Sequence, residues 1–261
     1  MPADSLKKLN DKTILVPRPA PPAGQTDKLA HLLELAGASV ISHPAIELLP
    51  VSLESVRSTL ARIDQFGSLV LVSETGVRFF FQLLTQIDNC NLESCDLQIA
   101  AIGHGTADAV ERHGGMRVDF IADRADSQSL GQGLLESELP EPYLLIRADR
   151  GSATLSEILS KADKKFEQLA VYESRDIRVT NPETLKAMQE QQIDWITLTS
   201  PAIAKACIQL FENEINNVQL ATISRSVTQV VEQLGFSVSA EAVRPGFDEL
   251  VAAMLKHQFE N

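Results

Sequence analysis

Short, continuously apolar runs rich in β-favouring residues alternate with stretches whose apolar positions recur at three-and-four spacing, through most of the 261-residue chain. The first kind predicts strands at 13–16, 39–42, 68–72, 98–102, 117–121, 143–146, 166–171, 195–198, 219–223 and 236–239. Stretches 26–35, 77–84, 106–112 and 152–160 carry the helical spacing. Strands with apolar residues at every position must be covered on both faces, so the alternation predicts an α/β protein with parallel sheets.

The pattern also repeats. Leu69-Val70-Leu71-Val72-Ser73 followed by Glu74-Thr75-Gly76-Val77 matches Trp195-Ile196-Thr197-Leu198-Thr199-Ser200 followed by Pro201-Ala202-Ile203-Ala204. In each, a serine stands just past an apolar strand and just before a helix. Ile99-Ala100-Ala101-Ile102-Gly103-His104-Gly105-Thr106-Ala107 matches Leu220-Ala221-Thr222-Ile223-Ser224-Arg225-Ser226-Val227-Thr228. After each copy come a helix ending in glycine (Gly114-Gly115, Gly235), a short strand, and a Ser129-Leu130 or Glu249-Leu250 pair opening another helix. Four matches in one order, at offsets of about 120 to 127 residues, imply two similar domains. Breaks fall at 43–50, where Pro44 and Pro50 bracket the segment, and at 172–182, which is polar and aperiodic.

The length suits two domains of about 120 to 130 residues, and 44% hydrophobic with 22% charged residues is an ordinary globular composition. There is no apolar run of the roughly 20 residues that cross a bilayer, and the opening Met-Pro-Ala-Asp-Ser-Leu-Lys-Lys is no signal peptide, which predicts a soluble cytoplasmic protein. Cys90, Cys95 and Cys207 form no CxxC pair and read as reduced structural thiols. A net charge of -12 argues against nucleic acid or an anionic membrane as partner.

In an open parallel sheet, ligands collect beyond the carboxyl ends of the strands. That rule selects Arg18, Ser73, Thr75, Gly76, Gly103, His104, Thr106, Arg147, Asp149, Arg150, Tyr172, Thr199, Ser200, Ser224, Arg225 and Ser226. Small hydroxyl residues and glycines at helix starts leave backbone N–H groups free for carboxylate or phosphate. Ser73, Thr106, Ser200 and Ser226 fit plain N-caps equally well, and capping and binding can share a residue. There is no GxxxxGK[ST] loop, the Gly103–Ala107 stretch lacks the third glycine of a dinucleotide fingerprint, no serine sits in G-x-S-x-G, and the five histidines lack metal-ligand spacing. No metal or cofactor is therefore expected. Tyr172 is the side chain to single out for chemistry, although a tyrosine in this position also reads as an interface packer.

Taken together, these motifs resemble the uroporphyrinogen-III synthase family. The resemblance rests on Ile14-Leu15-Val16-Pro17-Arg18-Pro19, Leu35-Ala36-Gly37-Ala38-Ser39-Val40, His43-Pro44-Ala45-Ile46-Glu47, a "TSxNGV"-like 72–77, a "TSPSAV"-like Thr199-Ser200-Pro201-Ala202, a "VGxxTA"-like 102–107, and Val171-Tyr172. It covers the chain from Ile14 to about Leu255. Departures are Ser224, Arg225 and Ser226 in the second "GPTTA" copy, and Val72 and Pro17 in place of threonines.

The resemblance implies two similar three-layer α/β/α parallel-sheet domains joined by a two-stranded connector, with the substrate cleft between them. Residues 1–44 with 176–261 would form the first domain, 50–171 the second, and 45–49 with 172–175 the connector. It implies a cofactor-free, monomeric lyase that takes hydroxymethylbilane, in transient contact with the preceding deaminase. Loss of the ring A hydroxyl gives an azafulvene, which ring D attacks at its substituted carbon. The resulting spirocycle fragments and recloses with ring D inverted. Tyr172 is then the candidate proton donor. Arg18, Ser73, Thr75, Gly76, Gly103, Thr106, Arg147, Ser200, Pro201, Ala202, Ser224 and Ser226 are the candidate substrate-binding residues. The altered 224–228 stretch also fits a non-catalytic tetrapyrrole or small-molecule binding protein on the same fold.

Overall fold

The computed structural model describes residues 9–22, 24–87, 92, 95–212 and 214–260. Two compact units emerge, Met1–Glu47 with Arg175–Asn261, and Leu48–Ser174.

The continuous unit is built on strands β3 (Ile46–Pro50), β4 (Ser68–Leu71), β5 (Gln98–Ala101), β6 (Phe120–Ile121), β7 (Tyr143–Ala148) and β8 (Phe166–Asp176), in sheet order β3-β8-β7-β4-β5-β6. The pairs β4–β5, β4–β7, β5–β6 and β7–β8 are parallel. Val51 N–H donates to the Val171 carbonyl (3.3 Å) and Ile177 N–H to the Ala45 carbonyl (2.8 Å), so β3 and β8 run antiparallel. The chain crosses between units once in each of these two strands.

Alternation along the central strands assigns each face its helices. Leu69, Leu71, Ile99, Leu144 and Ile146 pack with residues of α2 (Leu53–Leu60), α3 (Glu74–Leu84) and α4 (His104–Gly114). Val70, Ala100, Tyr143 and Leu145 pack with those of α5 (Ser127–Glu136) and α6 (Thr154–Lys161). Both faces are covered, as continuously apolar strands require, and each such side chain removed from water contributes about 1.5–3 kcal/mol. Helices α3 and α4 approach closely where a Cβ on Gly114 would lie 2.1 Å from the Phe81 ring, so a larger residue there would require that ring to move.

The discontinuous unit uses β1 (Thr13–Val16), β2 (Ser39–Ser42), β9 (Trp195–Leu198), β10 (Gln219–Thr222) and β11 (Ala240–Glu241), in order β11-β10-β9-β1-β2, all parallel. Around them lie α1 (Lys28–Leu35), α7 (Pro182–Gln189), α8 (Pro201–Phe211), α9 (Arg225–Gln233) and α10 (Phe247–Glu260). Ile14, Val16 and Trp195 pack with Leu29, Leu33, Leu250 and Met254 of α1 and α10. Its strand order repeats β6-β5-β4-β7-β8 of the other unit, with β9 in the place of β4 and β1 in the place of β7. In the continuous unit the chain runs from α5 straight into β7, whereas β1 precedes every other element of its unit. The two units are one topology with the chain order permuted.

Three expectations need correction. Strands expected at 117–121 and 236–239 are two-residue edge strands at Phe120–Ile121 and Ala240–Glu241, each touching its neighbour through two paired residues. Gly235, at φ +88°, redirects the chain after α9, and 236–239 reach the sheet only through the Ser239 N–H bond to the Leu220 carbonyl (2.9 Å). Strand β8 does not end before the polar break but continues through Tyr172 to Asp176, where β3 supplies the backbone partners that its polar side chains do not reveal.

Candidate active site

In each unit the strand order reverses at the centre, between β4 and β7 and between β9 and β1, which is where an open α/β sheet offers a crevice beyond its carboxyl edge. In the continuous unit Leu71, Ile146 and Leu169 stand level across β4, β7 and β8. Tyr172, three residues past Leu169, therefore overhangs that edge at the height of the loop leading into α3.

Ser73 caps α3 from an extended backbone, and its Oγ accepts the Gly76 N–H at 2.9 Å. The same hydroxyl lies close enough to the Tyr172 phenol to lower its pKa. The Tyr172 ring stacks on Phe79, with centroids 5.2 Å apart and planes at 20°. Burial pushes the phenol pKa up from its ordinary value, with Asp149 also raising it, against lowering by Ser73 and Arg78. Asp149 fixes the backbone beside Tyr172: its N–H donates to the Tyr172 carbonyl (3.0 Å) and its carboxylate accepts the Ser174 N–H (3.0 Å). This clamp sits where β7 and β8 shift register between Arg147 and Ala148. The result is a neutral phenol on a rigid strand, at a helix start, able to donate a proton at pH 7.

The helix starts differ in how they are closed. Thr106 is not the cap of α4. The N-cap is Gly103, in extended backbone with no side-chain acceptor, while Thr106 is buried and its N–H bonds the Gly103 carbonyl (3.1 Å). Helix α4 thus begins without a side-chain cap, but Glu74 Oε1 lies 2.7 Å from where a Gly105 Cβ would be, so a carboxylate of the protein already faces that first turn. Thr75 and Gly76 lie in the first turn of α3, and a Cβ on Gly76 would stand 3.0 Å from Ser73 Oγ.

In the discontinuous unit Ser200 caps α8, accepting the Ile203 N–H at 3.2 Å, with Pro201 in the first turn and Ala202 following. The N-cap of α9 is Ser224, not Ser226. The Ser224 hydroxyl makes no capping bond and meets Ser226 Oγ at 3.0 Å instead. Ser224 keeps the extended cap backbone of its glycine counterpart, so the altered sequence preserves the geometry of the start.

The arginines chosen by position are engaged within the protein. Arg147 hydrogen-bonds the Ala148 carbonyl (3.2 Å), the Gln168 side chain and the Gly151 carbonyl, bracing the loop after β7. Arg225 lies along α9 against Glu232 (3.1 Å) and Glu241 (3.5 Å). Arg18 sits 4.3 Å over the Phe247 ring and 3.6 Å from Asp27, the α1 cap, and burial lowers its pKa against the raising effect of Asp27. Two residues beside Tyr172, Arg78 and Phe79, were not among the candidates. Their signal in the sequence is a lone cation within the apolar run Val77-Arg78-Phe79-Phe80-Phe81 one turn after the capping serine. Of the thiols, Cys207 is buried and pushed up by desolvation, Cys95 is partly buried, and Cys90 lies outside the described residues.

Comparison with known proteins adds an independent line. A family model described as "Uroporphyrinogen-III synthase HemD" matches residues 27–252. A "Uroporphyrinogen-III synthase" of Synechococcus elongatus is 26% identical over 253 residues, 93% of this chain and 94% of the relative. A "Porphyrin biosynthesis protein HemD" of Ruminiclostridium josui is 26% identical over 77% of this chain, which spans 40% of that relative's length. Among solved structures, uroporphyrinogen-III synthetase from Helicobacter pylori has a TM-score of 0.65 at 18% identity, covering 94% of this chain and 99% of its own. A mutant uroporphyrinogen III synthase from Thermus thermophilus has a TM-score of 0.64 at 13% identity, covering 96% and 100%. At these identities the likeness to the solved structures is one of fold.

Proposed function

The chain belongs to the uroporphyrinogen-III synthase family, and from that premise we propose that it is a lyase closing hydroxymethylbilane into uroporphyrinogen III, with loss of water and inversion of ring D. The reading as a non-catalytic binding protein is not favoured, because the family and the relatives that match over most of the chain are named for the synthase.

The observation that carries the mechanism is the neutral Tyr172 phenol above the carboxyl edge of its sheet, stacked on Phe79 beside the serine that caps α3. As the ring A hydroxyl departs, the phenol donates the proton that makes water the leaving group. The azafulvene left behind is attacked by ring D at its substituted carbon, and the spirocycle breaks and recloses with that ring turned over. Carboxylates of the substrate are held by backbone N–H groups in the starts that contain Ser73, Thr75 and Gly76, Gly103 and Thr106, Ser200, Pro201 and Ala202, and Ser224 and Ser226. Arg147 stiffens its loop, and Arg18 adds positive potential after β1. Holding both reacting ends in one geometry supplies the steering, worth up to about 7–11 kcal/mol in well-oriented intramolecular reactions. Our reading extends to a monomer working in the cytoplasm, supplied by transient contact with the preceding deaminase. Among the described residues no helix is long and apolar enough to cross a membrane.

The test supplies fresh hydroxymethylbilane from a coupled reaction, oxidises the products and separates type I from type III uroporphyrin. The expected result is predominantly type III. Type I alone, at the rate seen without protein, would refute the assignment.

A further inference from the structure

Arg78 lies on α3, one turn past the Ser73 cap, and its guanidinium carbon stands 4.1 Å over the Phe79 ring. The Phe79 ring in turn carries Tyr172. Among the described residues Arg78 is the one partly buried lysine or arginine with neither an ion pair nor a hydrogen bond. Lys12, Arg18, Arg62 and Lys164 each meet a carboxylate, and Arg147 meets neutral acceptors. A guanidinium has five N–H donors and is not deprotonated in a protein, so one with no protein acceptor leaves its donors to solvent or to an arriving carboxylate. Its charged surroundings do not supply that acceptor. Glu74, one turn back on α3, is turned toward Gly105 of α4 and makes no ion pair with Arg78; burial lowers the pKa of His113 on α4, leaving it uncharged at pH 7; and Asp149, the carboxylate near Tyr172, is held by the Ser174 N–H and stands 3.9 Å from Arg150. Burial lowers the pKa of Arg78, with the nearby phenol the opposing influence.

We propose that Arg78 is a substrate-binding residue whose guanidinium receives one carboxylate of the substrate next to Tyr172, placing the departing hydroxyl within reach of the phenol. The inference rests on the synthase reading for the identity of the substrate, though the site itself demands only a carboxylate. It assigns the cationic role to Arg78 over Arg147 and Arg225, each of which already serves acceptors of the protein. A guanidinium binds a carboxylate through two parallel N–H bonds, so lysine in its place restores charge but not the paired geometry.

Uroporphyrin III, a stable octacarboxylate, is the probe, titrated by fluorescence quenching against the wild-type chain, Arg78→Met, Arg78→Lys and the exposed control Arg57→Met. Arg78→Met should weaken binding at least tenfold, Arg78→Lys by less, and Arg57→Met by under twofold. In the coupled assay Arg78→Met should raise KM by a similar factor and also lower kcat, because the departing hydroxyl is no longer held within reach of the phenol. Should Arg78→Met fail to fold by circular dichroism, Arg78→Lys and Arg78→Gln carry the comparison. Equal binding by wild type and the Arg78 variants, an equal loss in Arg57→Met, or no binding by wild type overturns the inference. A wild-type chain that binds uroporphyrin in an Arg78-dependent way yet forms only the type I product sinks the synthase reading and leaves the carboxylate site standing.

Discussion

Replacing Tyr172 by phenylalanine removes one oxygen and little else. The ring keeps its stack on Phe79, and Ser73 keeps the Gly76 N–H that starts α3, so the scaffold around the phenol survives. A positioned general acid, by contrast, contributes about 10² to 10⁴ in rate, which at 1.36 kcal/mol per decade is about 2.7–5.4 kcal/mol of barrier. The substitution should therefore lower turnover at least tenfold while the urea midpoint moves little. The coupled assay reads the rate, and the separated uroporphyrins read whether the slowed enzyme still directs type III closure. In the wild-type chain the alkaline limb of the pH–rate profile should begin only above about pH 10, because burial raises the phenol pKa. A Tyr172→Phe enzyme within threefold of wild-type turnover, with an unchanged isomer ratio, would show that the proton comes from elsewhere.

Other expectations can be checked on the same preparations. Glu74→Gln removes the carboxylate facing the first turn of α4 and should lower KM by about two- to fivefold, the factor for about 0.3–1 kcal/mol of charge at a helix start; an unchanged or higher KM counts against carboxylate binding there. Ser73→Ala should cost about 1 kcal/mol in urea melts through the lost cap and reduce turnover only modestly, since most substrate contacts are main-chain. Gly114→Ala should destabilise by about 1 kcal/mol, because its methyl displaces the Phe81 ring from its place between α3 and α4, and urea melts read the change. Tyr143 and Tyr172 both have pKa values raised mainly by burial. Their contribution is intact below about pH 10 and is lost as pH rises through the folded values, since the unfolded chain gives up its protons first. Thermal melts should show the wild type losing more stability above pH 10 than Tyr172→Phe does.

The central strands were legible because buried parallel strands are apolar at every position, and the Leu69–Ser73 and Trp195–Ser200 runs each end on a serine that the structure uses as a helix cap. Edge strands were not. Two-residue β6 and β11 are fixed by where β5 and β10 offer free backbone groups, which the residues at 117–121 and 236–239 do not encode. Thr106 and Ser226 fit the caps of α4 and α9 on the general preference for hydroxyls, yet extended backbone selects Gly103 and Ser224. Arginines read from position alone looked available for ligand. Their acceptors come from distant segments, Gln168 for Arg147 and Glu241 for Arg225, so only the folded chain reveals that they are taken. Arg78 was overlooked for the converse reason: a cation inside an amphipathic helix reads as solvated until the fold brings Tyr172 beside it.

The permuted topology sets the order in which the protein can assemble during synthesis. The Thr13 N–H donates to Asp194, 181 residues further on, and β1 also needs β9 beside it to complete its sheet. The middle unit needs nothing beyond Ser174, and its two ends are tied together by Val51 and Val171. At about 5–20 residues per second on the ribosome, it can close its core while β1, α1 and β2 wait as an incomplete fragment with apolar faces exposed. A nascent chain of which about 180 residues have emerged from the ribosome should therefore carry a protease-resistant middle and a cleavable, chaperone-binding N-terminal segment, and the vulnerable interval ends only when α8, β10 and α10 have been made.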